Sequence, residues 1–115
     1  MLYFYYGTDI DKARAKAHDL IDSLRKKKPD ASFFSVNSDN FNVNTLEEYI
    51  GGQGLFSNKY IIFLDRLCEN KEMKDAFLDL IKPISESDNI FVLLEAKLDK
   101  ATATKIEKKS EKFLK

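Results

Sequence analysis

Four short runs rich in apolar residues, separated by segments of helical spacing, confine this chain to very few architectures. They are Leu2 to Tyr6, Ser32 to Val36, Tyr60 to Leu64 and Ile90 to Leu94. The first and third lack the apolar-polar alternation of a half-solvated sheet, which marks them as strands buried on both faces. Such strands, alternating with helices, predict an α/β fold of three layers: a mainly parallel sheet of about four strands flanked by helices. The first run, apolar or aromatic at every position, belongs at the centre of that sheet.

The helices follow from stops, caps and stripes. Gly7 permits a tight turn, and Thr8 with Asp11 three residues on reads as a capping box that opens a helix reaching about Lys27. Its inward stripe is Ile10, Ala13, Ala17, Leu20, Ile21 and Leu24, and Pro29 with Asp30 stops it. A shorter helix is predicted from a cap at Asn44, with Leu46, Tyr49 and Ile50 inward and Gly51 and Gly52 at its end. Met73, Phe77, Leu80 and Ile81 predict one third helix limited by Pro83. From about Lys100 to Leu114 a thin stripe of Ala103, Ile106 and Phe113 predicts a last helix, with no strand to close the sheet, as in a domain excised from a longer protein.

A chain of 115 residues fits one domain with one core, and its nine Phe and five Tyr give that core enough apolar surface to offset the entropy of ordering. Lysine plus arginine equals aspartate plus glutamate at 19 each, so bulk charge selects neither nucleic acid nor an anionic membrane. The single cysteine, Cys68, excludes an internal disulfide framework and favours a reducing, cytoplasmic location. The opening MLYFYYGTD is too short for a membrane span or a signal peptide and has no basic leader.

The first strand, its glycine turn and the next helix are laid out as in a phosphate loop, which requires glycine, four residues, glycine, lysine and then Ser or Thr. Counted from Gly7, Lys12 stands where the second glycine belongs, Ala13 replaces the lysine, and Arg14 takes the hydroxyl position. Asp9 and Asp11 add carboxylates to the positive field that a phosphate would use. The frame is of the P-loop type but degenerate, and it supports no catalytic, metal or cofactor-binding assignment. Asp65, at the end of the third strand, sits where such folds keep a metal-coordinating acid, yet Arg66 follows where a second acid is usual. A solvated strand end or a helix cap is the plainer reading of Asp65.

Asp9, Asp11, Asp65 and Lys97 also lie just beyond strand ends, as in the acidic pocket of a phosphoacceptor receiver domain. The spacing is poor, because Gly7 and Thr8 intervene after the first strand and the lysine should leave a fifth strand. His18 reads as a surface histidine, and Cys68 as an ordinary loop or buried thiol. The run Arg25 to Lys28 and the lysines from Lys97 onward fit a solvated helix face better than a phosphate-binding surface.

One segment fits neither helix nor strand: Gly51-Gly52-Gln53-Gly54-Leu55-Phe56-Ser57. Adjacent side chains on a helix or strand diverge by about 100° or 180°, so Leu55 and Phe56 share one inward face only if the backbone is irregular. Two readings remain open on spacing alone: a loop that tucks both under the sheet, or an exposed wedge for a partner's pocket.

Three blocks carry a family resemblance across most of the chain: Tyr5-Tyr6-Gly7-Thr8-Asp9; Gln53-Gly54-Leu55-Phe56-Ser57 running into Lys59-Tyr60-Ile61-Ile62-Phe63-Leu64; and Leu93-Leu94-Glu95-Ala96-Lys97-Leu98-Asp99-Lys100. The sequence resembles the N-terminal domain of the delta subunit of the bacterial DNA polymerase III clamp loader. The resemblance implies an AAA+-like module over residues 1–115, without the lid and collar domains, whose nucleotide site has decayed and which is not an enzyme. It implies that Leu55 and Phe56 enter a hydrophobic pocket of the DNA sliding clamp, the beta subunit, and help open the ring, with Gln53 at the pocket rim. Gly54 departs from the small polar or bulkier residue commoner at that place. The implied partners are the clamp and the other clamp-loader subunits, with no membrane, no cofactor and DNA contact indirect at most. The other classes left open are a receiver-like phosphoacceptor using Asp65 and an interaction module unrelated to replication.

Overall fold

The computed structural model describes residues 1–52 and 59–114. Strand β1 (Leu2–Tyr6) leads into helix α1 (Ile10–Lys27), followed by β2 (Ser32–Val36) and α2 (Val43–Gly51). Then come β3 (Tyr60–Asp65), a 3-10 turn (Leu67–Glu69), α3 (Lys71–Asp79), α4 (Ile81–Glu86), β4 (Ile90–Glu95), α5 (Lys100–Glu107) and β5 (Lys112–Leu114). Strand pairing is parallel throughout, and the sheet runs β2-β3-β4-β1-β5. That order differs from the 2-1-3-4-5 order of flavodoxin-like folds, so the receiver-type pocket has no scaffold here.

Period-two burial in the strands separates the two faces. Tyr5, Ile61, Phe63, Val92 and Leu94 meet Ala13, Ala17 and Ile21 of α1 on one side. Leu2, Phe4, Ile62, Leu64, Phe91 and Leu93 form the other side, under α2, α3, α4 and α5. Both faces are apolar, so β4 is buried along its whole length, as the missing alternation required of an inner strand. The sandwich of helix, sheet and helix is therefore the three-layer α/β arrangement read from the sequence.

Five local expectations need correction. The sheet has five strands, because the segment expected to be helical to Leu114 ends at Glu107 and its last residues pair with β1, Phe113 opposite Phe4. The thin apolar stripe gave the helix little to bury beyond Ile106, whereas the open edge of β1 offered unpaired backbone groups. Helix α1 is capped by Asp9 rather than Thr8, since Asp9 is the residue immediately before the first helical position and its carboxylate accepts from the Lys12 N–H at 3.1 Å. Likewise Asn42, not Asn44, caps α2 by accepting from the Asn44 and Thr45 amides. The single third helix is two, broken at Leu80. Pro83 lacks the N–H that would bond to Asp79, and its ring collides with that carbonyl in a continuous helix.

Candidate functional site

The carboxyl ends of β1, β3 and β4 converge on one edge of the sheet, where open α/β folds keep their ligands. Gly7 turns the chain there with φ 154, a conformation that suits glycine, and its N–H donates to the Ala96 carbonyl at 3.1 Å. A cavity of about 720 Å³ lies beside this turn, lined by Tyr6, Gly7, Asp9, Lys12, Lys16 and Lys97 among others. The Asp9 carboxylate caps α1, so the helix end facing the cavity already carries an anionic partner from its own chain. The Tyr6 hydroxyl donates to the Glu107 carboxylate, tying β1 to α5. Burial, then the bond and charge of Glu107, raise the Tyr6 phenol to about 12.

Arg14 leaves the first turns of α1 and crosses to the end of β3. Its guanidinium donates to both oxygens of Asp65, at 3.1 and 3.3 Å, in the bidentate fashion suited to a carboxylate. The Arg66 Nε donates to the same carboxylate at 3.1 Å. Arg66 itself holds a left-handed backbone, φ 57, and its N–H donates to the Leu94 carbonyl at 2.8 Å. Asp65 is therefore neither a solvated strand end nor a helix cap. Its two oxygens accept from two cations of the chain, Arg14 and Arg66.

Glu95, one residue row away at the end of β4, is fully buried. One carboxyl oxygen accepts from the Cys68 N–H at 3.1 Å, while Oε1 has no partner among the described residues. Burial raises its pKa from the ordinary 4.5 to about 7, against the lowering effect of the Cys68 bonds and with the help of Glu69 and Asp65. Burial also pushes the Cys68 thiol far up, with Glu95 adding to the shift, which keeps it protonated and unreactive. His18 is exposed at the surface of α1, as the sequence suggested.

The opposite edge of the sheet, at the strand amino ends, carries a second polar cluster. Asn89, 3% exposed, accepts from the Tyr60 N–H at 2.9 Å and donates to the carbonyls of Tyr49 and Gly52, both at 2.7 Å. Phe34 stacks on Tyr49 at 4.6 Å between ring centres, and Tyr60 meets both rings edge-on. Gln53, Leu55 and Phe56, the residues singled out for clamp contact, lie outside the described residues. Their flanking positions, Gly52 and Lys59, belong to this amino-terminal edge, away from the Gly7 turn.

A family model described as DNA polymerase III, delta subunit, matches residues 3–115. The chain belongs to this family. Its residues thus form a delta-type clamp-loader domain, a class of component that is generally non-catalytic. Among solved structures it is similar to a DNA polymerase III gamma subunit-related protein of Thermotoga maritima, with a TM-score of 0.56 and 14% identity. The likeness covers 100% of this chain and 40% of that one, and at such identity it speaks for the fold alone. No curated protein matches the chain. Among the described residues, no helix of this delta-family chain is long and apolar enough to cross a membrane.

Sequence reasoning noticed Arg14 as a departure from the phosphate-loop pattern and Asp65 as an acid at a strand end, and did not pair them. It gave no role to Glu95 or Asn89. The available signal was a polar residue at each end of the wholly apolar run Ile90 to Leu94.

Proposed function

We propose that this delta-family domain binds a ring-shaped DNA sliding clamp through Leu55 and Phe56, with Gln53 at the rim of the clamp's pocket, and that burying the pair favours an opened ring. The observation that carries the reading is the family match over residues 3–115, which includes the Gln53-Gly54-Leu55-Phe56 stretch. Burying one such side chain contributes roughly 1.5 to 3 kcal/mol before ordering costs, so two suffice to dominate a small interface.

The domain performs no covalent chemistry in this reading. Its phosphate-loop frame is degenerate: Lys12, Ala13 and Arg14 stand in place of the glycine, lysine and hydroxyl, and Arg14 is spent on Asp65. In this reading the sheet serves as a rigid platform. Residues 1–115 correspond to the AAA+-like N-terminal domain of a delta subunit, working in the cytoplasm with other clamp-loader subunits and touching DNA only indirectly.

The test is a titration of the chain against its cognate clamp by surface plasmon resonance. The double variant Leu55→Ala, Phe56→Ala loses clamp binding while its unfolding free energy stays within about 1 kcal/mol of the parent. Retained binding together with a large loss of stability refutes the assignment and returns the pair to the core.

A further inference from the structure

We infer that a second copy of this chain docks on the layer formed by α3 and α5, the acidic row of α3 in each copy set against the lysine row of α5 in the other. The inference stands apart from the Leu55 and Phe56 reading and uses only side chains on and beside these two helices.

The solvent face of α5 carries Lys100, Ala101, Thr104 and Lys105, and Lys108 and Lys109 continue it past the helix end. All six are exposed, and no acid interrupts the four cations on that face. The nearest acids are engaged elsewhere. Asp99 accepts from the Thr102 N–H and from the Lys74 ammonium, and the Glu107 carboxylate accepts from the Tyr6 hydroxyl. Glu111, also exposed, follows beyond the turn. Because Ala101 and Thr104 are small, the lysines border an open hollow of about 620 Å³ into which a partner's helix can settle.

On α3 the pattern is inverted. Glu72, Asp75 and Asp79 are exposed at spacings of three and four, with Glu69 exposed in the preceding turn; Lys71 is the exposed cation at the start of the helix. Phe77 of α3 and Ala103 and Ile106 of α5 enter the same apolar cluster, so both helices cover one side of the sheet. The Lys74 to Asp99 contact at 3.5 Å sets them side by side.

Opposite charges in neighbouring rows make this layer complementary to itself, which is what a two-fold interface demands. An axis running between the two helices and along them lays α3 of one copy over α5 of the other, twice. At 1.5 Å per residue, Glu72 to Asp79 spans about 10 Å and Lys100 to Lys108 about 12 Å, so the rows match in length. With 19 basic and 19 acidic residues the chain has no net charge to hold two copies apart. Exposed ion pairs contribute little each and are screened by salt, so the dimer is weak and salt-sensitive. A nucleic-acid duplex is the poorer occupant, because the carboxylates of α3 beside the lysine row repel a polyanion.

Sedimentation equilibrium of the parent chain at about 50 and about 500 mM NaCl tests the inference. The parent is expected to dimerise, with an association constant at least tenfold lower at the higher salt. Asp75→Lys with Asp79→Lys makes both rows basic, and Lys105→Glu with Lys108→Glu makes both acidic, so each variant alone is expected to be monomeric. An equimolar mixture of the two restores opposite rows at both contacts and is expected to form a heterodimer. Circular dichroism checks that each variant folds; if either does not, Asp75→Asn with Asp79→Asn and Lys105→Gln with Lys108→Gln take their place, each expected to weaken the dimer at least tenfold. A parent that stays monomeric at low salt overturns the inference, as does a dimer that survives these substitutions or a mixture of folded reversed variants that stays monomeric. A monomeric parent that binds labelled duplex DNA, and loses it with Lys105→Glu and Lys108→Glu, overturns it in favour of nucleic acid.

Discussion

Replacing Glu95 by Gln removes a proton equilibrium while keeping the shape of the side chain and an oxygen to accept from the Cys68 N–H. In the folded chain Glu95 holds its proton up to about pH 7, whereas in the unfolded chain it releases it near the ordinary 4.5. Between those values the unfolded state binds fewer protons, so stability falls as pH rises; below 4.5 and above 7 this group adds no slope. Each pH unit is worth about 1.4 kcal/mol, so the parent loses about 3 kcal/mol across the window and Glu95→Gln loses none of it. The variant therefore gains on the parent as pH rises, by about 3 kcal/mol between pH 4.5 and pH 8. At about 4 °C per kcal/mol for a domain of this size, the two melting temperatures move roughly 12 °C relative to one another. Thermal unfolding followed by circular dichroism at pH 4.5, 6, 7 and 8 reads this directly. A difference between the two proteins that stays constant across that range refutes the argument, because it would mean that Glu95 ionises alike in both states.

Removing the guanidinium with Arg14→Ala costs about 1 kcal/mol in urea unfolding, a modest loss because the pair is partly solvated and Arg66 remains on Asp65. A cost above about 3 kcal/mol would show the pair to be a structural keystone. Gly52→Ala forces the end of α2 away from Tyr60 and destabilises by about 2 kcal/mol, measurable by the same unfolding assay; a neutral effect would show that the Glu48 carbonyl yields easily.

Much of the fold was legible because it rests on local spacing. The strands at Leu2, Ser32, Tyr60 and Ile90, the α1 stripe and the end of α2 at Gly51 all follow from which neighbours along the chain are apolar. The misread parts turn on competition for backbone groups. Asp9 displaced Thr8 as cap, Pro83 divided a continuous stripe, and the free edge of β1 drew residues 112–114 out of a weak helix. Leu55 and Phe56 were singled out by sequence, and their claim still rests on sequence and family.

Four apolar runs alternating with segments of helical spacing determined that this chain builds a mainly parallel α/β sheet, and the residues after Gly7 determined that the phosphate-loop pattern is incomplete. Periodicity records burial one element at a time, and a motif records the residues it lacks. Neither records what stands opposite. That Arg14 meets Asp65, that Glu95 ends in an apolar interior, and that Asn89 ties α2 to β3 were decided by the order β2-β3-β4-β1-β5. Polar groups distant in sequence find partners only after the strands have chosen their neighbours, because a desolvated donor or charge takes whatever the assembled sheet places within hydrogen-bond reach.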